Sequence, residues 1–204
     1  MVVGHRNNEP GRRFVGWRML AIGASINALA SGLFGRGISL YFLPLARDFH
    51  LSRTSTSLIF GVSSLEGGLQ GPVTGYLIDR WGPRIMMIIG SVLAGVGFMI
   101  LPFANSYVSF LAIFAGIISV GIHSGFHSGV SAVVNNWFYR YRGTAFGIVS
   151  VGIALGGTVL VPVVGLILQD WGWRTTATLS GIVILGVGVP LSFMVLDTPE
   201  KVGQ

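Results

Sequence analysis

The stretch "GYLIDRWGPR", Gly75–Arg84, sets an Asp, two Arg, a Pro and two Gly inside sequence that is otherwise almost wholly apolar. Ninety residues later "GLILQDWGWR", Gly165–Arg174, repeats its outline. Aligning Pro72–Arg84 with Pro162–Arg174 gives six identities in thirteen positions: Pro, Val, Gly, Trp, Gly and Arg. Trp-Gly and Arg do not recur by accident as easily as Leu or Val, so the pair reads as an internal repeat.

The sequence around it is that of a membrane protein. Of 204 residues, 51% are hydrophobic and 10% charged, and the mean hydropathy is +0.73. A soluble domain carries about 25% charged residues, so this chain could not cover itself for water. The net charge of +6 comes from 13 basic residues scattered between apolar blocks. They form no stripe, which argues against nucleic acid and for a role in orientation. With no Cys, disulfides and thiolate metal sites are excluded. The first apolar block is too long for a signal-peptide core and lacks a small-residue cleavage pattern, so it is expected to stay in the mature protein.

Spanning a bilayer takes roughly 20 apolar residues per helix. Six blocks meet this: Trp17–Leu45, Ser55–Ile78, Ile85–Phe103, Tyr107–Trp137, Thr144–Leu168 and Thr175–Leu196. None alternates polar and apolar as a barrel strand would, so the fold class is all-α, with six transmembrane helices. Arg6, Arg12, Arg13, Arg18, Arg80, Arg84, Arg140, Arg142 and Lys201 fall on one side of this arrangement, and Arg47, Arg53 and Arg174 on the other. The excess of positive charge places both termini in the cytoplasm. The repeat unit, residues 17–103 and then 107–196, contains three helices. An odd number turns the second copy upside down relative to the first, a pattern found in secondary transporters.

The quoted loop resembles the signature that the major facilitator superfamily carries between its second and third helices. "GRGISLYFLPLARDFHLSRTSTSLIFG", "NNWFYRYRGTAFGI" and "DWGWR" are similar to the monocarboxylate-porter and oxalate–formate-antiporter branches, as is Pro83 where many members have a basic residue. The resemblance implies one six-helix bundle of a fold that normally has two, with the substrate cavity between them. It implies a multi-pass protein of the plasma membrane, the inner membrane in a bacterium, carrying small organic anions such as carboxylates by alternating access. It also implies a second six-helix bundle as partner: the other half of a longer protein or a second copy, unless the gene is truncated. Residues 197–204, "DTPEKVGQ", suit the start of a cytoplasmic linker.

Arg36 is the sharpest site candidate. A cation in hydrocarbon costs about 2.5–3.5 kcal/mol even on lenient scales, and Arg36 lies on the order of 13 Å from the outer end of its helix. Its planar fork matches a carboxylate; the alternatives are a structural ion pair or a side chain stretched to the surface. The resemblance lends it a substrate-binding role, and Tyr41, His123 and His127 join it as candidates for the same site. Glu66, mid-span, needs a partner or a proton. It is either a proton-coupling group, a fixed partner of Arg36, or a neutral acid hydrogen-bonded between helices. His123 and His127 share a helix face; without a third ligand they are weak evidence for a metal, and read as cavity lining, a proton relay or packing contacts. Asp79, Arg80, Arg84 and Arg142 lie at the cytoplasmic rim as candidate gating residues, or as charges that fix topology. Gln169 replaces the Asp in the second copy, so only the inner loop is expected to latch. Gly67, Gly71 and Gly75 form one small-residue stripe and Gly121, Gly125 and Gly129 another. No cofactor motif appears.

Three other function classes are weaker. An enzyme would need a nucleophile–base set, a metal triad or a Gly-rich nucleotide loop, none of which the sequence presents. A channel would need a ring of like charges or a filter loop. A receptor or assembly subunit would bind ligand without flux.

Overall fold

The computed structural model describes residues 15–50 and 52–198, and these contain helices and turns but no strand. Arg6, Arg12, Arg13 and Lys201, four of the charges used above for orientation, lie outside the described residues. The helices are α1 (Gly16–Ala30), α2 (Ile38–Asp48), α3 (Arg53–Trp81), α4 (Pro83–Ile100), α5 (Tyr107–Ile113), α6 (Gly129–Trp137), α7 (Arg142–Val183) and α8 (Val189–Phe193). Wide π-helical turns at Ser31–Gly35, Phe114–Ser119, Ile122–Ser128 and Ile184–Gly188 continue several of them. Four stretches are long and apolar enough to cross a membrane: Gly16–Asp48, Pro83–Phe103, Tyr107–Trp137 and Arg142–Phe193.

Two differences from the sequence reading have clear causes. α3 is 29 residues long, about 43 Å at 1.5 Å per residue, yet it is not among the four. Its Ser, Thr and Gly residues, with Glu66 and Gln70, dilute its apolar content. The break expected at "QDWGWR" falls there but is narrow: a single residue, Gly172 with φ 75° and ψ 168°, interrupts the helix within α7. Gly82, ninety residues earlier, has φ 84° and ψ 156° and alone separates α3 from α4. A side chain at such a φ is strained, and Pro83 at the first position of α4 suits its fixed φ to a helix start.

The helices pack closely where glycines face backbone. A Cβ on Gly90 of α4 would lie 2.5 Å from the Cα of Gly125, and one on Gly125 would lie 2.7 Å from the Cα of Gly90. Gly156 of α7 stands against the backbone of Ala28 in α1. The stripe of Gly121, Gly125 and Gly129 is thus a packing seam against α4. The other expected stripe does not pack in this way: Gly67 meets the His123 ring, while Gly71 and Gly75 face open space. Phe34 stacks on Phe114 at 5.3 Å, Phe114 on Phe110 at 5.8 Å, and Phe110 meets Trp173 edge-on at 6.0 Å, an aromatic column through the core.

At the end of that column Asp48 ties α2 to the Gly172 bend. Its Oδ2 accepts from Trp173 Nε1 at 2.7 Å and from Arg174 Nη1 at 3.1 Å. Arg174 also donates through Nε to the Pro102 carbonyl at 3.2 Å. The ion pair is nearly half exposed, so solvent screens it and Arg174→Gln is expected to cost less than about 1 kcal/mol. The indole bond is partly buried and charge-assisted, so Asp48→Ala is expected to cost about 1–3 kcal/mol. Thermal unfolding in detergent, followed by tryptophan fluorescence, tests this ranking; equal losses would refute it.

Candidate functional site

A cleft of about 250 Å³ opens between α3 and the π segment Ile122–Ser128. Ser64, Gly67, Gln70, Gly71 and Thr74 line it from α3, and His123, His127 and Ser128 from the other side. The two imidazoles stand 5.8 Å apart, tilted by 72°, and His123 meets Phe34 edge-on at 6.0 Å. Glycine at position 67 is what lets His123 sit so close, since a Cβ there would lie 2.5 Å from its Nε2.

Glu66 lies one residue before Gly67, and Gln70 one helical turn further, donating through Nε2 to Glu66 Oε1. The remaining atoms of this group are not all satisfied: Glu66 Oε2, Gln70 Oε1 and His123 Nδ1 are buried without a hydrogen-bond partner. Nearby, Ser63 and Ser119 exchange a hydrogen bond of 2.7 Å between α3 and the neighbouring π segment. The result is a polar seam along α3 in a molecule with little polarity elsewhere. Buried acceptors without donors are costly, so the seam holds capacity for a polar guest. Ser64, Gln70, Thr74 and Ser128 were not legible in the sequence as site residues, being commonplace residue types. For the residues of α3, their spacing on one face (64, 67, 70, 71, 74) is the signal that would have found them.

Arg36 emerges directly after the π turn Ser31–Gly35, which rotates it off the regular α1 register. It is exposed, and its side chain lies against Gly157 of α7, where a Cβ would sit 2.5 Å from Arg36 Cδ. Among the described residues the one ion pair is Arg174–Asp48. Arg36 and Glu66 are therefore not a fixed ion pair, which corrects that alternative. Tyr41 is fully buried in the core rather than on the cleft. Among the described residues no group of three His, Asp or Glu is placed to hold a metal.

The rim candidates gather at the far end of α3. Asp79 and Arg80 line a second cleft of about 530 Å³ with Asn135, Asn136, Asp197 and Thr198. Arg142 donates to the Asn135 carbonyl at 3.5 Å. Arg84 enters through its backbone, donating its N–H to Asp197 Oδ1 at 3.0 Å. Asp197 thereby caps the start of α4, where Gly82 has no side chain to do so. Asn136 Nδ2 donates to the Asp197 carbonyl at 3.0 Å and Trp137 Nε1 to that of Leu196 at 2.9 Å. Sequence reading left Asp197 in a tail; the fold makes it the pin that fixes the α3–α4 turn.

Comparison with known proteins places these features in a family. Residues 20–204 match the model of the Major Facilitator Superfamily. The chain is 30% identical over 175 residues to human monocarboxylate transporter 11, covering 83% of this chain and 36% of that protein. It is 28% identical over 194 residues to human monocarboxylate transporter 1, covering 93% and 38%. An uncharacterised MFS-type transporter of Bacillus subtilis (strain 168) is 26% identical over 164 residues, covering 80% and 40%. The chain thus spans well under half the length of the curated relatives it matches.

Proposed function

Because this chain belongs to the Major Facilitator Superfamily, we propose that it is one six-helix bundle of a secondary transporter that moves small organic anions, carboxylates first, by alternating access. Arg36 carries this reading. It is an exposed guanidinium without an ion-pair partner among the described residues, set in an apolar segment where a charge is costly and where its fork suits a carboxylate guest. The polar seam from Ser64 to Thr74, with His123 and His127, supplies the neutral half of the same path. Glu66 and the two His are the groups able to move a proton with the substrate; exchange of one anion for another needs none of them to titrate.

Six spans accommodate the lengths, since Arg142–Phe193 has 52 residues and a bend at Gly172, and α3 crosses as a protein-facing helix. The matching conformations of Gly82 and Gly172, and the in-helix prolines Pro72 and Pro162, support two inverted three-helix units. A second bundle completes the cavity. α3 exposes Leu65 (70%), Leu69 (79%) and Val73 (62%) beside its polar seam, and α7 exposes Val151, Leu155 and Val159. A face that mixes exposed apolar residues with Ser, Gly and Gln suits protein better than lipid. Asp79, unpaired among the described residues, with Arg80, Arg84 and Arg142, would latch that bundle at the cytoplasmic rim. The chain then lies in the plasma membrane, the inner membrane of a bacterium, with both termini inside.

Counterflow in proteoliposomes tests this. Labelled small carboxylates are offered to vesicles loaded with unlabelled carboxylate, and accumulation is expected. Uptake driven by a pH gradient alone identifies proton symport; uptake that needs internal substrate identifies exchange. Saturable binding with no flux under either gradient would replace the transporter reading with that of a binding subunit.

A further inference from the structure

The corner where α1 begins and α6 meets α7 carries an aromatic cleft, with Arg142 of the proposed cytoplasmic latch at its edge. Trp17, Trp137, Phe138, Tyr139, Arg140 and Tyr141 line a cleft of about 320 Å³. Trp17 meets Phe138 edge-on at 5.4 Å. Trp137 and Phe138 are buried and form its floor, whereas Trp17, Tyr139 and Tyr141 are exposed, Tyr139 by 94%. The Arg140 guanidinium lies 5.8 Å from the Tyr141 ring centre and that of Arg142 lies 5.9 Å from the Tyr139 ring centre. Arg18, next to Trp17, is also exposed. None of these three arginines has an acidic ion-pair partner among the described residues.

We propose that this cleft is a binding site for the phosphate headgroup of an anionic phospholipid. Trp and Tyr with one apolar and one polar side favour the depth of lipid headgroups, and unneutralised Arg at that depth draws anionic lipid. Each of the two guanidinium carbons lies within about 6 Å of a tyrosine ring centre, a cation–π contact that favours this placement, and each guanidinium can fork onto phosphate oxygens. The site rests on the reading that α1 enters the bilayer near Trp17, and not on which substrate is carried.

The full chain is purified in detergent and titrated with phosphatidylglycerol or phosphatidylcholine, and bound lipid is counted by native mass spectrometry. One tightly held phosphatidylglycerol is expected, preferred over phosphatidylcholine. Arg140→Gln is expected to weaken it about fivefold, the scale of one arginine at a charged surface, and Tyr139→Ser, which removes the ring beside Arg142, to weaken it in the same direction. Arg174→Gln, at the opposite end of α7's bend, serves as control and should change nothing. Equal binding of both lipids, unchanged binding in Arg140→Gln and Tyr139→Ser, or displacement by millimolar inorganic phosphate would each overturn the proposal. Because the readout is lipid count, it stands or falls apart from any flux measurement.

Discussion

Leucine in place of Gly125 is expected to abolish the folded bundle. Position 125 faces Gly90 Cα at 2.7 Å from where a Cβ would begin, with the Met86 carbonyl at 3.1 Å. These are backbone atoms, which cannot rotate away as a side chain would. The helices must part along their whole crossing, and the apolar residues they bury must part with them. Overpacking a core costs about 1–3 kcal/mol where side chains can adjust; against backbone the loss should exceed that range, a large share of the 5–15 kcal/mol typical of folded domains. Gly125→Ala should fall between. Gly147 of α7, which has nothing within 4 Å of its Cβ position, is the control, and Gly147→Leu should behave as wild type. Monodispersity in detergent and thermal midpoint decide it; a Gly125→Leu protein with an unchanged midpoint would mean that the α4 crossing is looser than described.

The second large effect concerns function. Arg36→Gln keeps the length and hydrogen-bonding of the side chain but removes the charge, and carboxylate counterflow is expected to fall at least a hundredfold, about 2.7 kcal/mol. Arg36→Lys keeps the charge but loses the planar fork and should recover only part of the rate, mainly as a raised KM. Both proteins should fold normally, because the side chain is exposed. Counterflow in Arg36→Gln within threefold of wild type would remove Arg36 from the substrate site and shift the search to the His123–Gln70 cleft.

Much of the fold was legible because the membrane leaves few options. Apolar blocks of spanning length announce helices, and the bounds of the Tyr107–Trp137 block match those of the structure. The π turns were not legible. They arise when a helix must shift its register to suit a neighbour, and Ser31–Gly35 contains no residue that demands this by itself. The same limit explains the site. Arg36 and Glu66 stood out against an apolar background, so charge alone found them, but whether they touch depends on rotations that the π turns introduce. Tyr41 matched the neighbourhood of Arg36 in sequence, yet it is buried in the core. Asp197 was hidden for a different reason: its role depends on Gly82, more than a hundred residues away.

α3 also bears on how the protein is made. A segment with Glu66, Gln70 and a run of Ser and Thr inserts poorly alone, since polar residues near a helix centre raise the free energy of entry into the bilayer. Gly82 leaves only one residue between it and the strongly apolar α4. On the six-span proposal α3 has no slack in which to wait outside while α4 goes in, and the two are expected to enter as a hairpin during synthesis, the oily member carrying the polar one. The residues that give the seam its chemistry are tolerated because the next helix supplies the hydrophobicity for both.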